Sequence, residues 1–169
     1  MLFRSVVGSR DDDGGAGSVF VYQRFGNNWR QMGDKVTVPD GGQFGSAVAL
    51  DQDRFIAGAC DDDDNGFISG AAYVFQRVAG QPNWVQMGGK LVASDAGAGH
   101  QFGANVSISG DWAIVGAESN QSAYLFHYDG NAWTELQKLS GVLGGYFGNS
   151  VSISGDVAVV GAYWEGGAG

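Results

Sequence analysis

The stretch FGNSVSISGDVAVVGA, residues 147–162, repeats two earlier stretches of the chain, FGSAVALDQDRFIAGA at 44–59 and FGANVSISGDWAIVGA at 102–117. In every copy the Gly of GA follows the Phe of FG by 14 residues. A string that recurs with constant internal spacing indicates a repeated structural unit. The copies start 58 and 45 residues apart, close to the roughly 40 to 50 residues of a four-stranded propeller blade.

Each copy has the pattern of a β-hairpin. Val151 and Ile153 alternate with serines, which is the period of a strand with one buried face. Gly155-Asp156 suits a two-residue turn of type II′, because glycine adopts a positive φ without a steric clash. The apolar residues 157–160 then indicate a second strand, buried on both faces. The copy at 102–117 repeats the turn as Gly110-Asp111, whereas the first copy has Gln52-Asp53, a weaker turn signal.

Two further strands are predicted around each copy. Apolar-aromatic segments lie at 17–24, 70–77 and 121–128, with Phe20, Tyr73 and Tyr124 aligned, and a fourth strand surrounds Trp29, Trp84 or Trp133. Units of this kind bury both faces only by stacking on one another. We therefore predict an all-β fold of β-propeller blades with four antiparallel strands, in an incomplete propeller of about three blade equivalents. The predicted segments are a partial blade 1–43, blades 44–101 and 102–146, and a partial blade 147–169.

Composition narrows the function classes. The 169 residues are 44% hydrophobic and include 30 glycines, which indicates a packed domain with many tight turns. The net charge of −9 argues against binding nucleic acid or an anionic membrane surface. Cys60 is the single cysteine, so no intrachain disulfide is expected. The sequence predicts no membrane insertion, and its first 15 residues lack the apolar core of a secretory signal.

The FG and GA strings resemble the FG-GAP repeat, the blade unit of integrin α-subunit propellers and of many surface proteins of bacteria and algae. The resemblance covers nearly the whole chain and implies an integrin α-like scaffold for adhesion, at the cell surface or outside the cell. The proline of GAP is replaced by Cys60, Glu118 or Tyr163. Integrin-type repeats also carry a calcium loop between FG and GAP, and this chain has only DQD or SGD there. It resembles the short variant of the repeat.

A candidate calcium loop lies elsewhere, after the first GA. Asp61, Asp63, Asn65 and Gly66 match the opening D-x-D-x-[DN]-G of a calcium loop, in which alternate oxygen ligands converge on one cation. The twelfth position of such a loop is Ala72 rather than a bidentate glutamate, so a solvated acidic turn is the alternative. The equivalent loop at 10–17 has glycine in place of the third ligand, and the loop at 118–121 has lost the aspartates.

The remaining candidates point to binding rather than catalysis. His100 and His127 have no neighbouring ligand set or triad partner in the sequence, and the serines at 107, 109, 152 and 154 recur with the repeat. Trp29, Trp84 and Trp133 also recur, which favours packing between blades, whereas Trp112 and Trp164 do not recur and are candidates for an exposed binding surface.

We therefore expect a non-enzymatic module that binds a protein or a glycan. Two alternatives stay open: a scaffold segment of an extracellular enzyme, and a carbohydrate-binding propeller that uses loop tryptophans. The first unit lacks its opening strand and the last has only two strands. We therefore expect either self-association through these open blade edges or completion of the propeller by further blades of a larger extracellular or cell-surface protein.

Overall fold

The computed structural model describes residues 3–81, 83–141 and 145–163, which form four antiparallel sheets. In each sheet the strands pair in chain order, as a meander. Two short helical segments connect strands, α1 (Asp12–Gly15), which is broken by positive φ at Asp13, and a 3₁₀ turn (Glu118–Asn120). The strands are β1 (Arg4–Ser9), β2 (Ser18–Phe25) and β3 (Asn28–Gln31); β4 (Phe44–Asp51), β5 (Arg54–Ala59), β6 (Ala71–Arg77) and β7 (Trp84–Gln86); β8 (Asn105–Ser109), β9 (Trp112–Ala117), β10 (Ser122–Tyr128) and β11 (Trp133–Ser140); β12 (Ser150–Ser154) and β13 (Val157–Gly161).

This architecture confirms the predicted all-β fold of four-stranded antiparallel units. The second and third sheets each have four strands, the first has β1 to β3, and the fourth has β12 and β13. The sheets are those of an incomplete β-propeller, and the described residues form no closed barrel.

The predicted two-residue hairpins are also confirmed. Asp51 pairs with Arg54, Ser109 with Trp112 and Ser154 with Val157, so two residues form each turn. Gly110 and Gly155 both have φ of 57°, as the first central position of a type II′ turn requires. Gln52 takes the same conformation with φ of 51°, although it carries a side chain. The pairing of the flanking strands therefore imposes the turn even where the local signal is weak.

The glycines of FG and GA meet at the junction between neighbouring sheets. A Cβ atom placed on Gly58 would lie 1.8 Å from the carbonyl oxygen of Gly103, and one on Gly8 would lie 2.0 Å from that of Gly45. Gly116 meets Gly148 in the same way at 2.2 Å. Only glycine allows two backbones to approach this closely. The FG and GA ends of the recurring string therefore connect neighbouring sheets.

Three apolar cores fill the spaces between the sheets. Phe44 lies in the core between the first and second sheets, edge-on to Tyr73 with ring centroids 5.6 Å apart. Phe102 takes the same place between the second and third sheets, 5.4 Å from Tyr124. Both phenylalanines are fully buried. A smaller core between the third and fourth sheets contains Ile114, Ala123 and Ile153.

The outer sheets expose apolar side chains. Val7 on β1 and both Val157 and Val159 on β13 are exposed. In the described part of the chain, β1 pairs only with β2, and β13 pairs only with β12. No helix within the described ranges is long and apolar enough to span a membrane.

Candidate functional site

The acidic loop after β5 forms an ion pair with a lysine. Asp62 is 1% exposed, and both of its carboxylate oxygens accept hydrogen bonds from Lys90 Nζ, at 3.0 and 2.9 Å. Lys90 also donates to the carboxylate of Asp64. Burial acts to lower the pKa of Lys90, but the hydrogen bonds to Asp64 and Asp62 outweigh it and raise that pKa above its usual value. The ammonium group therefore stays charged and neutralises the buried carboxylate.

Two of the residues predicted to bind calcium make other contacts within the loop. The carboxylate of Asp63 accepts a hydrogen bond from the Ile68 amide at 2.5 Å, and that of Asp61 lies 3.7 Å from the Cys60 sulfur. Asn65 is exposed. In the described ranges one group of three carboxylates lies within 4.8 Å of one another, that of Asp40, Asp62 and Asp64, and Lys90 already contacts two of them. This arrangement fits an ammonium group, and calcium binding by Asp61, Asp63 and Asn65 stays a prediction.

Lysines also form ion pairs at the first and third sheets, although the aspartate of the third pair follows β7 and so belongs to a different loop. Lys35 donates to Asp12 at 2.9 Å and to Asp13 at 2.7 Å. Lys138 donates to Asp95 at 2.6 Å, and the Tyr124 hydroxyl donates to the same carboxylate at 2.7 Å. Burial acts to raise the pKa of Asp95, but these two hydrogen bonds lower it to about 2.

Sequence reasoning missed these lysines, although a signal for them exists. Lys35 and Lys90 each stand six residues after the tryptophan of the fourth strand, and Lys138 stands five residues after its own. Each of the three lysines pairs with aspartate. The acidic runs at 11–13 and 61–64 are therefore explained in part by structural ion pairs with Lys35 and Lys90.

At the opposite end of the strands, arginines bridge successive hairpins. Arg4 donates to the Gln52 carbonyl at 2.8 Å and pairs with Asp53 at 2.8 Å. Arg54 repeats the contact one sheet further on, because it donates to the Gly110 carbonyl at 2.9 Å and to Asp111 at 2.5 Å. The Arg54 guanidinium also lies over the Tyr128 ring, 5.6 Å from its centroid. Each arginine is the first residue of its strand.

The third junction, between the hairpins of the third and fourth sheets, departs from this pattern. Trp112 is the first residue of β9 and takes the position of Arg4 and Arg54. A link to the turn of the next hairpin remains, since the Gly155 amide donates to Ser109 Oγ at 3.1 Å, as the Gly110 amide donates to Asp51 at 2.6 Å. No arginine of the described residues bridges to the turn at Gly155 and Asp156.

A cleft opens at this junction, between the third and fourth sheets, and we call it the Trp112 cleft. It has a volume of about 590 Å³. Trp112 is 37% exposed and its ring packs on His127, with centroids 4.5 Å apart. Apolar side chains and aspartates line the cleft together: Trp112, Leu125, Ile153, Ala158, Asp51, Asp111 and Asp156. The predicted exposure of Trp112 is thus confirmed, whereas Trp164 lies outside the described residues.

The other tryptophans have different environments. Trp84 is buried in the core between the first two sheets, and Trp133 packs on Tyr128 with centroids 5.3 Å apart, against the next core. Trp29 is 49% exposed. The predicted packing role therefore holds for Trp84 and Trp133, which pack in the core shared with the preceding sheet. It is wrong for Trp29, because no sheet of the described residues precedes the first. The strand serines link sheets, since Ser107 Oγ accepts a hydrogen bond from the Ile153 amide at 3.1 Å.

Comparison with protein families matches this architecture. The family model described as FG-GAP repeat matches residues 35–75, 84–126 and 133–169. The chain belongs to the FG-GAP repeat family. Each FG-GAP match begins at or after the last strand of one sheet and includes the FG string of the next. The pairing lysine and the FG connector therefore belong to the same FG-GAP repeat. A search of curated proteins finds no match to the chain.

Proposed function

We propose that the chain is a non-enzymatic binding module of FG-GAP repeats, in which the stacked sheets form the scaffold and the Trp112 cleft binds the ligand. The observation that carries the proposal is the departure at the third junction. Arg4 and Arg54 bridge the first two pairs of hairpins, and the cleft lies where Trp112 replaces them. A concave surface with apolar walls and a few polar groups is typical of ligand sites.

The titratable groups support binding rather than catalysis. Burial raises the pKa of Tyr73 to about 12, and Tyr73 lies next to Asp62 in the second sheet. Burial also raises the pKa of Tyr124, which donates to Asp95 in the ion pair of the third sheet. These groups belong to separate sheets and stand at the end of the strands opposite the cleft. Such shifts arise in structural ion pairs and do not by themselves indicate catalysis.

The ligand we propose first is a protein, bound in an adhesion-like role outside the cell or on its surface, as the family resemblance implies. A glycan is the second candidate, because exposed Trp112 offers an aromatic face on which a sugar ring could stack. Binding to a glycan array that Trp112→Ala removes would favour that alternative. A scaffold role in an extracellular enzyme is the third.

Self-association is a further proposal. The exposed edge of β1 and the exposed valines of β13 support it. Light scattering of the chain over a hundredfold range of concentration tests it, and a monodisperse monomer throughout would exclude self-association.

A display experiment tests the proposed function. A random peptide library is selected against the immobilised chain, and the enriched peptides are measured against Trp112→Ala and against Trp29→Ala, which removes an exposed tryptophan of the first sheet. We expect peptides whose binding is lost with Trp112→Ala and kept with Trp29→Ala. Enriched peptides that bind both variants equally well would show that the cleft is not the binding site.

A further inference from the structure

We propose that the Trp112 cleft binds the guanidinium group of an arginine side chain on a partner protein. The inference rests on the proposed function and names the chemistry of its ligand. It follows from the arginines that the chain itself places at the two preceding junctions.

The second junction shows how these hairpins hold a guanidinium group. Arg54 donates to a turn carbonyl, that of Gly110, and to the carboxylate of the following residue, Asp111. Its planar group lies over the aromatic ring of Tyr128. Arg4 makes the same two kinds of hydrogen bond at the first junction, to Gln52 and Asp53. A turn carbonyl, an aspartate and an aromatic face are well suited to a guanidinium group.

The third junction offers the turn and its aspartate without the arginine, and the aromatic ring of Trp112 stands in the position of the arginine itself. Gly155 and Asp156 form the turn that corresponds to Gly110 and Asp111, and they line the cleft together with the exposed face of Trp112. Asp156 forms no ion pair within the described ranges, whereas Asp111 is held by Arg54. The charged residues that line the cleft are aspartates. The cleft therefore has the charge and the aromatic surface to accept a cation from outside.

The shape of the cleft favours arginine over a compact cation. A guanidinium group stacks on an indole ring and still donates in its own plane, which an ammonium group cannot do. The apolar side chains of Leu125, Ile153 and Ala158 line the cleft between the two sheets. They can accommodate the methylene groups of an arginine side chain while its charged end reaches Asp156.

The test is an NMR titration of the ¹⁵N-labelled chain with N-acetyl-arginine amide, compared with N-acetyl-citrulline amide, which has nearly the same shape but no charge. We expect saturable shifts of the Trp112 indole and of the Gly155 and Asp156 amides, with at least about tenfold weaker binding of the citrulline probe. Asp156→Asn should weaken arginine binding by a similar factor. Asp11→Asn, which removes one exposed charge at the other end of the strands, should leave it unchanged.

A second variant supplies the missing group from within the chain. Trp112→Arg is expected to bridge to Gly155 and Asp156 as Arg54 bridges to the preceding turn, to raise the melting temperature and to abolish arginine binding. Equal binding of the two probes, unchanged binding by Asp156→Asn, or no saturable shift with the arginine probe would each overturn the guanidinium assignment. Selected peptides that depend on Trp112 but contain no arginine would overturn it too, while leaving the cleft as the binding site. If no selected peptide depends on Trp112, the proposed function fails, whatever the titration shows.

Discussion

Gly58→Ala tests whether close backbone contact between sheets is the reason for the recurring glycines. The new Cβ atom would lie 1.8 Å from the Gly103 carbonyl oxygen, and contacts under 3.0 Å are not sustained, so the two backbones must separate by more than 1 Å. That movement also displaces Phe102, which is fully buried beside Gly103. We expect a loss of about 3 kcal/mol in the free energy of unfolding, at the upper end for overpacked cores. For a chain of this length the melting temperature should fall by roughly 6 to 12 °C.

Substitutions of two further glycines separate the cost of the steric clash from the cost of backbone strain. Gly110→Ala adds a Cβ atom that meets nothing within 4 Å but has a φ of 57°, so it should cost only about 1 kcal/mol from backbone strain. Gly89→Ala has neither a contact nor a positive φ, and its effect should stay within about 0.5 kcal/mol of zero. Urea denaturation followed by far-UV circular dichroism measures all three. Equal stability of Gly58→Ala and Gly89→Ala would refute the connector role of the glycine pair.

Three further predictions concern charge. Lys90→Met leaves the buried carboxylate of Asp62 without its cation and should cost about 3 to 5 kcal/mol. Lys35→Met, at a more exposed pair, should lower the free energy of unfolding much less in the same urea assay. The pKa of Asp95 is lowered from 3.8 to about 2, so its ion pair stabilises the fold above about pH 4 and this contribution is lost as the pH falls towards 2; Asp95→Asn should flatten the decline of melting temperature over that range. If Asp61, Asp63 and Asn65 bind calcium, chelation by EDTA should lower the melting temperature and Asp63→Ala should remove that decrease. An identical melting temperature with and without calcium would exclude the calcium site.

The hairpins could be predicted from sequence because their signals are local. The alternation of Val and Ser, followed by Gly-Asp, specifies two paired strands within a dozen residues. The ion pairs depend on contacts between distant segments: Lys90 stands 28 residues from Asp62, and Arg54 stands 57 residues from Asp111. Such contacts follow from how strands pair and sheets stack, which a reading of one segment does not provide.

In the acidic loop after β5, too, the sequence pattern alone does not determine which aspartate is buried. The alternate-residue pattern of calcium loops selects Asp61 and Asp63. In the structure the Asp62 amide donates to the Ala59 carbonyl at 3.2 Å, and the turn this makes carries the buried Asp62 side chain to Lys90 instead. The turn after β5, rather than the spacing of the aspartates, thus determines which carboxylate is buried.

The glycine connectors make neighbouring repeats interchangeable. Phe102 and Gly103 meet Gly70 and Gly58 in the same way as Phe44 and Gly45 meet Gly17 and Gly8. Deleting residues 44–101 would therefore present Phe102 and Gly103 to a first sheet already shaped to receive an FG string. An array built in this way can gain or lose whole units without a new interface between them. A single residue beside the turn then decides the state of each junction: arginine bridges to the next hairpin, and tryptophan leaves a cleft. The position of the binding site can therefore change while the scaffold stays the same.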